Sequence, residues 1–144
     1  MEFQLPILAP SILAANYTKL GSEIEECLKS DIRWIHCDIM DGHFVPNISF
    51  GAGVVRAARK AAPEVYLDVH LMIEHPDSFI ESFADSGADL ISVHYETCPH
   101  LHKTIQNIRN HGCMTGVVIN PATPVTHIEP VVSEVDLVLI MTVN

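Results

Sequence analysis

Short apolar runs recur along this chain, and several are apolar at every position rather than at every second one. Val117-Val118-Ile119 and Leu137-Val138-Leu139-Ile140 are the clearest. Successive strand side chains point to opposite faces. A run apolar on both faces therefore belongs to a strand covered on both sides, as in a parallel sheet wrapped by helices. Strands are predicted over residues 7–13, 34–41, 65–73, 90–96, 115–120 and 137–143. Helical patterns fill the intervals at 18–29, 51–62, 76–86, 99–111 and, more briefly, 125–132. Asn16 and Thr18 supply a cap for the first helix, and Pro63 stops the second. Pro76 sits in a first turn, where no N–H partner is needed, and Gly87 and Gly112 close the third and fourth helices.

Regular β-α alternation narrows the fold to a doubly wound sheet or a (β/α)8 barrel. No G-x-G-x-x-G follows any predicted strand, which disfavours the dinucleotide-binding sheet. Polar groups gather at the ends of the first three strands, where barrel enzymes carry their chemistry. The expectation is an α/β protein, a (β/α)8 TIM barrel, with residues 1–144 as a single barrel domain supplying about six β/α units. A closed barrel takes eight units and typically about 250 residues. The chain is therefore expected to be a barrel truncated after its sixth strand, with its first and sixth strands as open edges.

Charge narrows the choice of partners. A net charge of −10 with only 8 basic residues argues against nucleic acid and against an anionic membrane surface. No apolar stretch reaches the roughly 18 residues of a membrane span. No basic region followed by an apolar run opens the chain, so no secretory signal is expected. Cys27, Cys37, Cys98 and Cys113 form no C-x-x-C pair and are read as reduced thiols of a cytoplasmic protein.

The run His36-Cys37-Asp38-Ile39-Met40-Asp41-Gly42-His43 carries the chemistry. On a strand, His36, Asp38 and Met40 share one face, while Ile35, Cys37 and Ile39 share the other. An imidazole beside a carboxylate is expensive to bury unless paired or put to use. His70 and Met72 repeat the pattern on the next predicted strand, with Asp68 one pair deeper as a buried polar partner. Two histidines and one aspartate from neighbouring strands suit Zn²⁺, Fe²⁺, Mn²⁺ or Co²⁺ about equally. The competing reading is a hydrogen-bonded polar cluster in the core. Asp41-Gly42 reads as a turn, with His43 and Asn47 ordering the loop. His94 and Glu96, at the end of their strand, are read as a structural network.

Taken together, the motifs are identifiable. Ala9-Pro10-Ser11-Ile12-Leu13-Ala14, then residues 36–43 continued by Phe44-Val45-Pro46-Asn47, resemble the ribulose-phosphate 3-epimerase family. Asp68-Val69-His70-Leu71-Met72-Ile73, Asn120-Pro121-Ala122-Thr123-Pro124 and Leu139-Ile140-Met141-Thr142-Val143-Asn144 match it as well. That resemblance implies a (β/α)8 barrel interconverting D-ribulose 5-phosphate and D-xylulose 5-phosphate by proton transfer at C3 through an enediolate. It implies one divalent metal ion held by His36, Asp38 and His70, with Asp38 as one of two acid/base groups. It implies substrate contacts from Ser11 and His70, and a site lined by Met40, Met72 and Met141. It places the second catalytic aspartate on a seventh strand and the phosphate-binding backbone near the seventh and eighth. It also implies a homo-oligomer. The alternatives are an allulose-6-phosphate 3-epimerase, which would use the same core residues, and a catalytically incompetent barrel fragment that only binds metal or associates. A decarboxylase relative is disfavoured, because its Asp-x-Lys-x-x-Asp strand would need lysine where this chain has Met40.

Overall fold

The computed structural model describes residues 5–143. One parallel sheet holds β1 Trp34–Met40, β2 Tyr66–Met72, β3 Leu90–His94, β4 Met114–Ile119 and β5 Leu137–Ile140, paired in chain order. Between them run α1 Leu20–Lys29, α2 Ala52–Ala61, α3 Ile80–Ala84 and α4 Leu101–Asn110, α1 preceding β1. Each strand pairs with the next along the chain, and every ladder is parallel. This is an arc of five strands from a (β/α) barrel.

The expected two-fold periodicity sorts the side chains. Ile35, Cys37 and Ile39 of β1 are at most 4% exposed and join Leu67, Val69 and Leu71 of β2 in the main core. Ile24 of α1, Val55 and Ala58 of α2, and Ile105 and Ile108 of α4 complete that layer. The opposite face of β1 presents His36, Asp38 and Met40, each only partly buried. So the helices cover the apolar face, and the polar face turns to the barrel interior. All four cysteines are free thiols. Burial, followed by the Asp68 and Asp38 charges, pushes the Cys37 thiol up to about 12. Among the described residues no helix is long and apolar enough to cross a membrane.

Three predicted elements differ. Residues 7–13 do not form a full strand: Pro10 O accepts from His36 N at 2.9 Å, and Ser11 makes a single parallel bridge to His36. Pro6 and Pro10 offer no N–H to a ladder. Ser11 Oγ accepts from Leu13 N at 3.1 Å and turns the chain into a 3-10 helix, Ile12–Ala14. Five strands plus this bridge stand where six strands were expected. The helix expected at 76–86 is a 3-10 turn, Pro76–Ser78, followed by the short α3. The one expected at 125–132 is two 3-10 segments, Val125–His127 and Glu129–Glu134, because Pro130 removes a donor inside it.

The N-terminal ends of the strands are clamped by side chains. Asp89 precedes β3 and accepts from Leu67 N at 2.7 Å; Asp136 precedes β5 and accepts from Thr115 N at 2.8 Å. Arg59 of α2 pairs with Asp89 and donates to Gly87 O at 2.8 Å, Pro63 O at 2.9 Å and Val65 O at 2.7 Å. Ser-x-x-Asp-Leu occurs at both clamps, as Ser86 to Leu90 and as Ser133 to Leu137.

Candidate active site

The register brings the polar residues together. His36 pairs with Asp68 across β1 and β2, Asp38 with His70, and Met40 with Met72. On β3, Ser92 lies opposite His70. The inward face is thus layered, from Asp68 and His36 through Asp38 and His70 to the two methionines at the C-terminal end.

Asp38 is the hub. Its Oδ1 lies 3.1 Å from His36 Nε2 and 3.1 Å from His70 Nδ1, and its Oδ2 accepts from Ser11 Oγ at 2.5 Å. Burial opposes ionisation of Asp38, but the hydrogen bonds from His36, His70 and Ser11 outweigh it and hold the carboxyl well below the usual range. His36 Nδ1 donates to Asp68 Oδ2 at 2.7 Å. Burial disfavours charge on His36, yet hydrogen bonds to Asp38 and Asp68 raise its pKa to about 10. Asp68 is 4% exposed, and its Oδ1 has no partner among the described residues.

The donor set suits a divalent metal. His36, Asp38 and His70 each offer one ligand atom, and these atoms lie within 4.8 Å of one another. Two borderline imidazole nitrogens and one hard carboxylate oxygen make a set that Zn²⁺ and its neighbours accept. The Asp68 carboxylate on the far nitrogen of His36 is the usual outer partner of a metal-binding histidine.

The C-terminal loops close over this layer. Asp41 Oδ1 accepts from His43 N at 2.8 Å and Phe44 N at 3.0 Å, while its Oδ2 accepts from Glu74 N at 2.7 Å across 33 residues. That carboxylate folds the loop after β1 and ties it to the loop after β2. Gly42 turns there with φ of 75°, and an added Cβ would meet Ile48. Phe44 lies on the His94 ring with centroids 4.6 Å apart.

Most of the expected site residues fall into one place. Ser11, His36, Asp38 and His70 form one cluster, with Met40 and Met72 beside it. Met72 is 2% exposed. Met141 lies just past β5, its N–H bonded to Ile119 O at 3.1 Å. Asn144, the last residue of the final motif, lies outside the described residues. His94 and Glu96 form the expected network, which also reaches the cluster: His94 Nε2 is 2.9 Å from His70 Nε2, and its Nδ1 is 3.2 Å from Glu96 Oε2. Burial, followed by the neighbouring His70 charge, lowers the His94 pKa to about 4. The inward parity it shares with Met72 was the available signal; the contact itself depends on how far the sheet curls. A cavity of about 700 Å³, bounded by Met40, Asp41, His43, His75 and Phe79 among others, adjoins the loops after β1 and β2 and touches none of the three metal-competent residues.

Comparison with known proteins agrees with this geometry. Residues 7–144 match the Ribulose-phosphate 3 epimerase family. The chain is 56% identical over 137 residues to the ribulose-phosphate 3-epimerase of Bacillus subtilis, covering 95% of this chain and 63% of the relative. It is 49% identical over 140 residues to the chloroplastic ribulose-5-phosphate-3-epimerase of Arabidopsis thaliana, covering 96% and 50%. Among solved structures, KGPDC from Streptococcus mutans superposes with a TM-score of 0.68 at 13% identity, covering 94% of this chain and 64% of that one. The tryptophan synthase alpha subunit of Legionella pneumophila gives 0.64 at 16%, covering 92% and 61%. At those identities the likeness is one of fold. The chain spans between half and two thirds of the length of these relatives.

Proposed function

The chain belongs to the ribulose-phosphate 3-epimerase family, and on that premise we propose that it takes part in interconverting D-ribulose 5-phosphate and D-xylulose 5-phosphate by proton transfer at C3. The observation carrying this reading is the cluster in which Asp38 is held ionised by Ser11, His36 and His70 on the interior of a barrel arc.

Inverting a carbon beside a carbonyl means removing its proton from one face and returning one to the other. Asp38 is the base for one face. The other face calls for a second acid/base group, which the family resemblance assigns to an aspartate on a seventh strand. An ordinary aspartate, with a pKa of about 3.9, is too weak a base to take a carbon-bound proton unaided. His36, Asp38 and His70 would hold a divalent cation, which when bound would act as a Lewis acid and supply the missing charge stabilisation. Ser11 fixes the Asp38 carboxylate through Oδ2, so the proton-accepting oxygen keeps one orientation. Asp68 holds His36 with its Nε2 toward the site. Met40 and Met72 are soft, weakly coordinating side chains that keep water from the layer above.

The test is solvent exchange. With ribulose 5-phosphate in D₂O, the metal-loaded protein should wash deuterium into C3, followed by NMR, and chelation should stop it. Asp38→Asn should lower the exchange rate by about 10²–10⁴-fold, the usual worth of a positioned base. An Asp38→Asn protein as fast as the parent would remove Asp38 from this role. No exchange by the metal-loaded full-length protein would remove the function.

A further inference from the structure

Two histidines point at Asp38, and their backing differs. His36 is backed directly by a carboxylate, Asp68. His70 is backed by another imidazole, His94, and only then by a carboxylate, Glu96. His94 is fully buried and capped by Phe44. Glu96 is itself pinned: its Oε1 accepts from Asn120 N at 2.8 Å and from the Thr123 hydroxyl. The chain of contacts thus runs from the loop after β4, through Glu96 and His94, to His70 and Asp38.

Counting protons leaves this chain two arrangements. A neutral imidazole carries one N–H and one acceptor nitrogen. The short Nε2–Nε2 contact holds one proton between the two rings. The remaining proton of a neutral pair sits either on His94 Nδ1, facing Glu96, or on His70 Nδ1, facing Asp38. Carboxylates stand at both ends, Asp38 Oδ1 3.1 Å from His70 Nδ1 and Glu96 Oε2 3.2 Å from His94 Nδ1; a cation drawing on the His70 Nδ1 lone pair would require the first arrangement, and Glu96 is the acceptor that makes it available. In that arrangement His70 Nε2–H donates to His94, and His70 Nδ1 turns its lone pair toward Asp38 and the ligand atom of His36.

We propose that His94 and Glu96, anchored by Asn120 and Thr123, are positioning residues that hold His70 in the tautomer able to ligate a divalent metal through Nδ1. This rests on the metal site proposed above and adds its outer partner on the second histidine. It also gives Asn120-Pro121-Ala122-Thr123-Pro124 a task, since this loop fixes which Glu96 oxygen faces His94. Outer partners of this kind are usually worth 10–100-fold in metal affinity.

Glu96→Gln tests this with almost no change of shape. The Asn120 N–H and the Thr123 hydroxyl keep the amide oxygen on their side, so the amide NH₂ faces His94 Nδ1. The ring must then accept there and carry its proton on Nε2, which drives the His70 proton onto Nδ1 and blocks the metal. Co²⁺ affinity, measured by competition with a chromogenic chelator, should fall 10–100-fold. Long-range ¹H–¹⁵N spectra of the Zn²⁺-loaded parent should place the His94 proton on Nδ1, and spectra of the variant under the same conditions should place it on Nε2. Thr123→Val, which removes one of the two donors to Glu96 Oε1, should weaken Co²⁺ binding by a smaller factor and carries the test if Glu96→Gln does not fold. If the parent binds Co²⁺ and both folded variants bind it equally well, with the His94 tautomer unchanged, the positioning role is wrong and the metal site stands. If the parent binds no Co²⁺, the metal site itself is wrong and this role falls with it.

Discussion

Gly116→Ala isolates one close approach inside the barrel. Gly116 of β4 pairs in register with Ser92 of β3, in the layer of Asp38 and His70. A Cβ at 116 would lie 2.6 Å from Ser92 Cβ and 3.1 Å from Ser92 Cα, against an optimum carbon–carbon contact of about 3.5–4.0 Å. About 1 Å must be found, and Leu137 Cδ2 at 3.4 Å limits movement to the other side. One obstructing atom is backbone in a hydrogen-bonded strand, so no rotamer change relieves it. Overpacking of this kind costs about 3 kcal/mol, the upper end of the usual range. For a chain of this size that is a fall in Tm of roughly 10 °C. Urea denaturation should show a lower midpoint with an unchanged slope. The second site makes the test specific. Ser92→Gly in the Gly116→Ala background removes the obstructing Cβ and should recover about 2 kcal/mol as coupling. Ser92→Ala keeps that Cβ and should recover nothing, although on its own it should be near neutral, because Ser92 Oγ has no partner among the described residues. A loss below about 1 kcal/mol, or equal rescue by Ala and Gly at 92, would refute the argument.

Asp41→Ala strips three backbone N–H groups of their acceptor and should cost about 2 kcal/mol, a value lowered for partial exposure; urea midpoints check it. Arg59→Leu breaks the clamp to Gly87, Pro63, Val65 and Asp89 and should cost about 2–3 kcal/mol by the same measurement, with metal affinity unchanged. Acid should destabilise the metal-free protein. Asp38, Asp41 and Glu96 have depressed folded values, so the stability they add is present above their unfolded values of about 3.9 to 4.3 and is lost as pH falls through the folded ones. His36 works in the opposite sense. Its raised value adds stability that is complete below about 6.5 and is lost as pH rises toward 10, so His36→Gln should flatten the alkaline limb of a stability–pH curve.

Much of this was legible in the residues. The doubly apolar runs of β4 and β5 announced a parallel sheet, and the two-residue spacing of His36, Asp38 and Met40 announced an inward polar face. Register could not be read that way: parity places His70 on the same face as Asp38 but does not say that the two are paired. Residues 7–13 misled because β-branched and apolar side chains suggested a strand, while Pro6 and Pro10 had already removed the ladder donors. His94 was the harder case. Its contact with His70 depends on sheet curvature, which pairwise spacing does not encode, and Phe44 reaches it only because Asp41 folds the intervening loop. The Ser-x-x-Asp-Leu repeat was visible in principle, but its task emerged only when Asp89 and Asp136 were found on the amides of the preceding strands.

Strand order carries a kinetic consequence. The bonds Thr115–Asp136, Leu67–Asp89, His70–His94 and His36–Asp68 join residues 21, 22, 24 and 32 positions apart. Loop-closure entropy rises only with the logarithm of length, so each successive pairing meets nearly the same small entropic barrier. During synthesis, which delivers the N-terminal end first, the sheet can zip one strand at a time along a single growing edge. His36, Asp38 and His70 then meet as soon as β2 docks on β1, while β5 has yet to leave the ribosome.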